Sequence, residues 1–282
     1  MKDILVRRAL SEDREDAVFV EGQATPGLHY LDHVYEEWLV DPEGVLLVAE
    51  LEDRLVGVGK FSKMPDGSAW LETLRVLPEY QGKGVGKEFY KEFLNLAEER
   101  GVKRLGMYTT PDNFASKGLA EINGFTFAGE FRGSFLDIVS AEINIESDSF
   151  ETITSPDKAW RFIERDIALW GGYGIMNRTF LRLSKELVSF WTSKSFISRH
   201  IGSDSIIILG ARFMPEKAVH IAYMSGDIDC LISFAIWKSR LSKVYRLQCM
   251  YPEGQSYLSE KLQGLGFTPE PYSCIVMENS FK

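Results

Sequence analysis

The 282-residue sequence is poor in the features that mark several large protein classes. It has 3 cysteines, odd in number and widely spaced among apolar residues, which predicts reduced core thiols and no disulfide framework. No stretch of the sequence approaches the length of about 18 consecutive apolar residues that a membrane span needs. The N-terminus also lacks the apolar run of a secretory signal. We therefore expect a cytoplasmic chain without a membrane partner.

Basic residues are also scarce. The chain has 32 Lys and Arg against 41 Asp and Glu, a formal net charge of −9, which argues against a nucleic-acid partner. The excess is local, because residues 1–53 hold 14 acidic and 4 basic residues, whereas residues 141–282 hold 16 of each. The acidic segment either attracts a cationic amine or forms a solvated surface, and composition leaves both alternatives open.

The chain has the length of about two domains, and its 45% hydrophobic content is enough for packed cores. The polar stretch 144–156 is the best linker, which gives domains 1–143 and 144–282. The halves resemble each other, because a strand-like segment, a proline and a Gly-Phe pair recur in the same order. The matching segments are Arg104–Tyr108, Pro111 and Gly124-Phe125, then Arg246–Met250, Pro252 and Gly266-Phe267. Ordered matches of this kind predict a duplicated fold.

Strand-like and helix-like patterns alternate along the first half and predict a mixed α/β sheet. The predicted strands are 4–8, 45–50, 55–61, 70–76, 104–108 and 125–131. The predicted helices are 31–39, 84–100 and 116–122.

Three alternate glycines, Gly82, Gly84 and Gly86, lie between a predicted strand and a predicted helix. Backbone N–H groups at a helix start, with Lys83 and Lys87 beside them, suit a phosphate. The spacing fits neither a dinucleotide fingerprint nor a Walker loop. The alternative is a plain glycine-rich turn, but glycines flanked by basic residues at a helix start favour a phosphate site.

The segment Gln81-Gly82-Lys83-Gly84-Val85-Gly86 resembles the pyrophosphate-binding signature of the GNAT superfamily of acyl-CoA-dependent N-acyltransferases. The resemblance covers roughly residues 45–130 and includes Asn113, which lies at the usual interval before Gly124. A shorter resemblance, which includes residues 72–76, Glu-Thr-Leu-Arg-Val, is to a tandem-domain branch with histidine N-acetyltransferase-like proteins. It implies two tandem GNAT-like α/β lobes. The second would be degenerate, because Asp227 and Asp229 stand where its loop would be.

This resemblance implies acetyl-CoA as cosubstrate and requires no metal. It implies direct attack on the thioester by a primary amine of a small metabolite, an amino acid or a similar compound. The backbone N–H near Val76 would then stabilise the oxyanion. The cofactor-binding residues would be Leu74 and Val76 for pantetheine, Gln81, Gly82, Lys83, Gly84, Val85, Gly86 and Lys87 for pyrophosphate, and Asn113 and Ser116.

The catalytic groups are carried over in part. Glu72 matches the glutamate of the branch and is the expected general base, and its alternative role is a cross-strand partner of a lysine or arginine. The superfamily commonly has a tyrosine acid seven residues after the asparagine, and Ala120 stands there. A non-catalytic acyl-CoA-binding module therefore remains an alternative, and a protein N-acetyltransferase is a third.

His29, Tyr30 and His33 lie where the acceptor cleft of such a fold is walled. They are the expected substrate-binding residues, and the alternative is that the histidines are partly exposed helix residues and that Tyr30 is a core residue. The i, i+4 spacing of the two histidines also suits a zinc site, but no cysteine or third histidine is near. We expect no metal, and either a monomer or a homodimer.

Overall fold

The computed structural model describes residues 3–25, 27, 29–138 and 149–281. The chain folds as two compact units. The first contains Met1–Met107, Asn113–Phe127 and Met277–Lys282, and the second contains Tyr108–Asp112 and Ala128–Val276. The predicted boundary between residues 143 and 144 and the first part of the predicted linker lie outside the described residues. Both units are discontinuous in sequence, which the sequence pattern did not indicate.

The first unit combines an antiparallel run of strands with four helices in its described part. Strands β1 to β4 are neighbours in sequence order, each antiparallel to the next, and β5 follows parallel to β4. The elements are β1 (Leu5–Arg8), α1 (Arg14–Ala24), α2 (Leu31–Leu39), β2 (Gly44–Leu51), β3 (Arg54–Lys63), β4 (Ala69–Val76), α3 (Val85–Glu99), β5 (Arg104–Thr109) and α4 (Phe114–Ile122). The other predicted strands and helices are confirmed, with ends that differ by at most two residues, but the strand predicted at 125–131 runs on to Asp137.

Local chemistry explains where these elements begin and end. The turn of the β2–β3 hairpin holds Glu52 and Asp53 at φ 57°, a left-handed conformation that suits the twist of a two-residue hairpin turn. Helix α3 begins after Gly84 and stops before Gly101, both at positive φ. Its apolar stripe is buried and consists of Val85, Phe89, Phe93, Leu96 and Ala97.

Residues of β3 alternate between two covered faces of the sheet. A side-chain carbon built at Gly57 would lie 2.8 Å from Phe89, and one at Gly59 would lie 3.0 Å from Phe93. These glycines therefore face α3 and permit its close approach. Lys60 follows Gly59 and faces the opposite side, where its ammonium lies 5.9 Å from the Trp38 ring centroid of α2. We call this opposite side the α1–α2 face.

The described strands of the second unit run in the order β14-β6-β13-β12-β11-β10-β7, and β8 and β9 form a separate hairpin. Strands β12 and β13 are parallel. The first two residues of β6 and the last four of β14 belong to the first unit. The elements are β6 (Thr126–Asp137), β7 (Phe150–Thr152), α5 (Pro156–Ile163), β8 (Tyr173–Met176), β9 (Thr179–Arg182), α6 (Lys185–Ser193), β10 (Ile197–His200), β11 (Ile206–Gly210), β12 (Val219–Ser225), α7 (Ile228–Leu241), β13 (Arg246–Pro252), α8 (Ser256–Gly264) and β14 (Thr268–Ser280).

The predicted duplication is confirmed at the level of single hydrogen bonds. Both units contain a strand, a helix, a parallel strand and a second helix, β4-α3-β5-α4 and β12-α7-β13-α8. After α4, Gly124 has φ 84° and the Phe125 N–H donates to the Ala120 carbonyl at 3.1 Å. After α8, Gly266 has φ 88° and the Phe267 N–H donates to the Leu262 carbonyl at 3.0 Å. The recurring Gly-Phe pair is thus a helix end in both copies.

None of the helices within the described ranges is both long enough and apolar enough to cross a bilayer.

Candidate active site

The chain between β4 and α3 forms a loop that depends on glycine. A short 3-10 turn, Pro78–Tyr80, leads into Gly82 at φ 73° and Gly84 at φ 97°. A side-chain carbon at Gly82 would meet no atom within 4 Å, so the need for glycine there is conformational. The two positive φ values turn the backbone into the start of α3.

Gly86 has a different role from the other two glycines. A side-chain carbon there would lie 2.7 Å from Cδ2 of Leu119, so Gly86 permits the close approach of α3 and α4. Sequence reasoning assigned all three glycines to the phosphate and did not identify this packing role.

The first turn of α3 has backbone donors that no side chain caps. Gly84 is the N-cap residue and offers no side-chain acceptor. By contrast, Asn113 caps α4 through the Ser116 N–H, and Asp227 caps α7 through the Cys230 N–H. The Lys87 N–H donates to the Gly84 carbonyl at 2.9 Å, whereas the Val85 and Gly86 N–H groups before it are suited to donate to a phosphate oxygen.

Polar side chains flank this loop. Lys83 and Lys87 are exposed, and the Lys83 ammonium lies 4.7 Å from the Tyr80 ring centroid. The Gln81 side-chain amide donates to the Val76 carbonyl at 3.1 Å, which ties the loop to the end of β4. Gln81, Lys83 and Lys87 therefore expose polar side chains around the start of α3, whereas Val85, also predicted to bind pyrophosphate, has a buried side chain.

Strand β4 contains a bulge directly before the loop. Its pairing with β3 runs from Glu72 opposite Lys60 to Arg75 opposite Val58, so β4 has one extra residue, and Thr73 there has φ 52°. Because the Leu77 N–H donates to the Val56 carbonyl, Val76 is a non-hydrogen-bonded position toward β3. The Val76 N–H is therefore directed toward the β5 side.

Strands β4 and β5 pair over a short length. Among the described residues, their pairing comprises Ala69 with Leu105 and Trp70 with Gly106. The half-buried Leu74 and Val76 lie beyond that point. This leaves an open edge along the second half of β4, with backbone groups on which an extended ligand can lie as an added strand.

Glu72 lies on the α1–α2 face, opposite Lys60. It is 8% exposed, and the Ser62 hydroxyl donates to its Oε1 at 2.5 Å. The fully buried Lys60 forms an ion pair with Asp41. Glu72 thus lies opposite a lysine of the neighbouring strand, as its alternative role requires. Its side chain is on the side of β4 that the helices cover.

The predicted acceptor residues surround the loop between α1 and α2. His29 and His33 are exposed, but His29 precedes α2, so the two do not share a helix face as their spacing suggested. The Tyr30 ring lies edge-on to Trp38 at 5.9 Å. Over the described ranges, no cluster of three or more His, Cys, Asp or Glu side chains could hold a metal ion.

Sequence reasoning missed Glu21, a buried carboxylate of α1. Its Oε2 accepts the Tyr30 and Leu31 N–H groups at 3.2 and 3.0 Å and so fixes the start of α2. Ala17, Val20 and Glu21 form the buried stripe of α1. An acidic residue at an apolar position of a helical period was the signal that could have found it.

Comparison with known proteins now identifies this architecture. Residues 8–125 match the model of the acetyltransferase (GNAT) family. This part of the chain belongs to that family. The matched segment is therefore an acyltransferase domain, as predicted, and it contains the glycine loop.

Two relatives of this GNAT domain are named for different acceptors. One is a candidate ribosomal protein bS18-alanine N-acetyltransferase of Bacillus subtilis (strain 168), 26% identical over 133 residues, which are 47% of this chain and 87% of that protein. The other is mycothiol acetyltransferase of Beutenbergia cavernae, 32% identical over 92 residues. That match covers 32% of this chain and 31% of the relative, so the chain matches less than a third of its length.

A solved structure extends the GNAT fold to the whole chain. A tandem GNAT protein from the clavulanic acid biosynthesis pathway matches with a TM-score of 0.59 and 13% identity, over 99% of this chain and 98% of that one. At this identity the likeness shows the fold alone. The prediction of two tandem GNAT-like lobes is confirmed.

The positions that the GNAT resemblance identified on α4 differ in how far they are exposed. Asn113 is exposed, and its Oδ1 accepts the Ser116 N–H at 3.0 Å, so both residues build the start of α4. Ala120, at the place of the family's tyrosine, is fully buried. No phenol therefore stands at that position, and an acid for the departing thiolate would have to come from elsewhere.

Proposed function

We propose that the first unit transfers an acetyl group from acetyl-CoA to a primary amine of a small metabolite. The observation that carries this proposal is the uncapped start of α3 behind two positive-φ glycines, next to the open edge of β4. A phosphate-binding loop and a free strand edge together match a nucleotide linked to an extended arm.

Residues of the first unit suit acetyl-CoA at each of its parts. Within the loop Gln81–Lys87, the N–H groups of Gln81, Lys83 and Lys87 donate to carbonyls of the β4–α3 connection itself. The N–H groups of its other residues, with the two lysine side chains, would hold the pyrophosphate, and Leu74 and Val76 would pair with the pantetheine arm. Asn113 and Ser116, at the start of α4, would complete the site. Acetyl-CoA supplies an activated thioester, from which the amine takes the acetyl group while the CoA thiolate leaves with a proton.

Two groups of β4 would act on the reacting atoms. The Val76 N–H, directed away from β3, would donate to the carbonyl oxygen as it gains charge, and one such donor contributes about 3–4 kcal/mol to catalysis. Glu72 would accept the proton of the amine, because only a neutral amine is nucleophilic, with the Ser62 hydroxyl holding its carboxylate in place.

The acceptor residues are proposed from their place beside this strand. His29 and Tyr30 lie in the segment that Glu21 ties to α1, and His33 follows on the first turn of α2. We propose that this segment forms one wall of the amine site.

Binding and turnover experiments test the proposal separately. Calorimetry with acetyl-CoA should show binding, and a thiol reagent should detect CoA release with members of a panel of small primary amines. Absence of acetyl-CoA binding at millimolar ligand would contradict the proposal as a whole.

Two specific observations favour other functions, and the same experiment tests them. The buried Ala120 favours a non-catalytic acyl-CoA-binding module, which would bind acetyl-CoA without releasing CoA on any amine. The Bacillus subtilis relative favours a protein acceptor, which would appear as transfer to peptide N-termini but not to free amines.

A further inference from the structure

Helix α4 presents an apolar face to solvent, which we call the α4 outer face. It consists of Phe114, Ala115, Gly118 and Ile122. Because each residue turns an α-helix by about 100°, these four positions lie within an arc of about 100°. Phe114 is 78% exposed and Ile122 is 66% exposed. Large apolar side chains gathered on one exposed face mark an interaction surface, whereas single ones scattered over a protein do not.

The α4 outer face lies away from the packing of the first unit. Gly118 is two residues from the fully buried Ala120, about 200° around the helix, and a side-chain carbon at Gly118 would meet nothing within 4 Å. Ser116, which we propose as a residue of the acetyl-CoA site, is equally far from Gly118 in the other direction. The contact with α3 is made by Leu119, beyond the edge of the outer face. A partner can therefore cover this face without entering the proposed acetyl-CoA site.

The duplicated copy shows that the fold does not require this apolar face. Counting back from the Gly-Phe pair that ends both helices gives the corresponding positions of α8, Ser256, Tyr257, Glu260 and Gly264. The close contact of Leu119 with Gly86 also has a counterpart, the ion pair of Lys261 with Asp229 at 2.7 Å. Since α8 takes the same place with mostly polar residues, the exposed apolar side chains of α4 have another role than folding.

The charges beside the α4 outer face complement those of a second copy of the chain. Lys117 and Glu121 lie along one flank of the face, one turn apart, with Nζ and Oε1 separated by 3.9 Å. When two identical helices pack antiparallel about a two-fold axis, the same flank of each copy meets in reversed order. Lys117 of each copy then lies beside Glu121 of the other.

The same reversal matches the apolar residues of the face. Phe114 and Ile122 are each four residues from Gly118, so about a centre at Gly118 the phenyl ring of one copy lies opposite Ile122 of the other. Gly118 then meets its own copy, and the absence of a side chain there lets the two helices approach closely. The α4 outer face is thus complementary to itself in shape and in charge.

We propose that the α4 outer face is the interface of a homodimer, in which two copies of α4 pack antiparallel about a two-fold axis at Gly118. One helix pair is small beside the about 1,200–2,000 Å² that stable interfaces bury. The dimer is therefore reversible, and we expect a Kd of about 10 µM. This proposal neither needs nor tests the proposed acetyl transfer.

Sedimentation of the full chain tests the dimer. Between about 1 and 100 µM protein, the average mass should rise from the 32.0 kDa of one chain toward twice that value. Ile122→Glu should weaken the dimer by at least about 100-fold, because it sets a carboxylate against Phe114 of the second copy. Thermal unfolding of this variant should match that of the original chain, since Ile122 is mostly exposed.

Two charge reversals test the antiparallel order. Lys117→Glu brings acidic side chains together across the interface, and Glu121→Lys brings basic ones together, so each should raise the Kd by about tenfold. A mixture of these two variants should associate with the original Kd, because every acidic side chain then meets a basic one. A chain with both substitutions should also dimerise like the original.

Lys91→Glu is the matched control, because Lys91 is an exposed lysine of α3 that pairs with Glu88 at 3.4 Å. It makes the same change of charge and should leave the Kd unchanged. A chain that stays monomeric at 100 µM would overturn the proposal, and this is the result expected if the face serves a different protein. A dimer that persists in Ile122→Glu, or a mixture of the charge variants that fails to associate, would overturn it as well.

Discussion

Lys60 is a fully buried charge in the first unit and depends on its partner. Its side chain is 0% exposed and forms an ion pair with Asp41, whose side chain is 27% exposed. Burial alone would raise the pKa of Asp41, but the Lys60 hydrogen bond and charge, with two backbone N–H groups, hold it below its ordinary value. A side chain at Gly44 would collide with both groups, so the strand leaves room for this pair.

Removing the Lys60 charge should destabilise the fold. Lys60→Met should lower the free energy of unfolding by about 3 kcal/mol, because it leaves a partly buried carboxylate without its cation. Lys60→Met combined with Asp41→Asn should be less destabilising than the sum, by about 1–2 kcal/mol, since the partners interact directly. Urea unfolding measures the free energy of unfolding of Lys60→Met, of Asp41→Asn and of the double variant.

The control is Lys63→Met, which removes a half-exposed lysine paired with Glu43 at 3.3 Å and should change stability by under about 0.5 kcal/mol. Asp41 has a depressed pKa in the folded state, so its contribution is complete above its ordinary pKa. The coupling should therefore fade as pH falls through the depressed value. Additive effects at neutral pH would show that the pair is not coupled.

Glu72 gives a second prediction at the scale of one residue. Glu72→Gln keeps an acceptor for the Ser62 hydroxyl but removes the base, so kcat should fall by about 10²- to 10⁴-fold with the KM for acetyl-CoA unchanged. Steady-state rates across pH measure it, with the exposed Glu98→Gln as control. Unchanged turnover at every pH would remove Glu72 from the proposed mechanism.

At the scale of elements, the entry into α3 depends on a backbone conformation. Gly84→Ala should raise the KM for acetyl-CoA by about tenfold, because an L-residue at φ 97° costs about 1–2 kcal/mol and the loop would rearrange to avoid it. Gly118→Ala is the matched control. Its added carbon meets nothing within 4 Å inside α4, so it should leave the KM unchanged. A normal KM in Gly84→Ala would show that this conformation is not needed for binding.

Gly86→Ala should act differently, although it lies two residues away. The added carbon would lie 2.7 Å from Leu119, so overpacking should lower the free energy of unfolding by about 1–3 kcal/mol. Adding Leu119→Ala removes the obstructing carbons and should recover part of the loss. Thermal unfolding measures both, and a stability unchanged by Gly86→Ala would contradict the packing role.

Much of the fold follows from local patterns, and the rest depends on neighbours distant in sequence. Helix α2 has the bounds Leu31–Leu39 of the predicted helix, because its buried residues Leu31, Val34, Tyr35 and Trp38 follow a helical period that the sequence itself shows. The bulge at Thr73 carries no such signal, since it arises from the pairing of β4 with β3. The sequence placed the glycine loop and Glu72 on their elements, but it missed the buried Glu21, whose hydrogen bonds to the Tyr30 and Leu31 N–H groups depend on how α1 packs beside α2.

At the scale of the whole molecule, duplication has kept the framework and changed the anion site. The strand–helix–strand–helix order and the Gly-Phe helix ends recur in both units. In the second unit, however, β12 passes to α7 through Gly226 and Asp227 alone. The long glycine loop of the first unit has no counterpart there.

The second copy should therefore bind no acetyl-CoA. Asp227 already caps α7, where its Oδ1 accepts the Cys230 N–H at 3.2 Å, and Asp229 on the first turn adds a negative charge that Lys261 pairs at 2.7 Å. A pyrophosphate would meet two carboxylates and an occupied amide. Calorimetry should give one acetyl-CoA per chain, and Gly84→Asp in the first unit should abolish all binding.

Asp227→Asn combined with Asp229→Asn should leave the stoichiometry at one, because neutralising the charges restores no glycine loop. Two sites per chain, or binding that survives Gly84→Asp, would mean that the second copy has kept a site of its own.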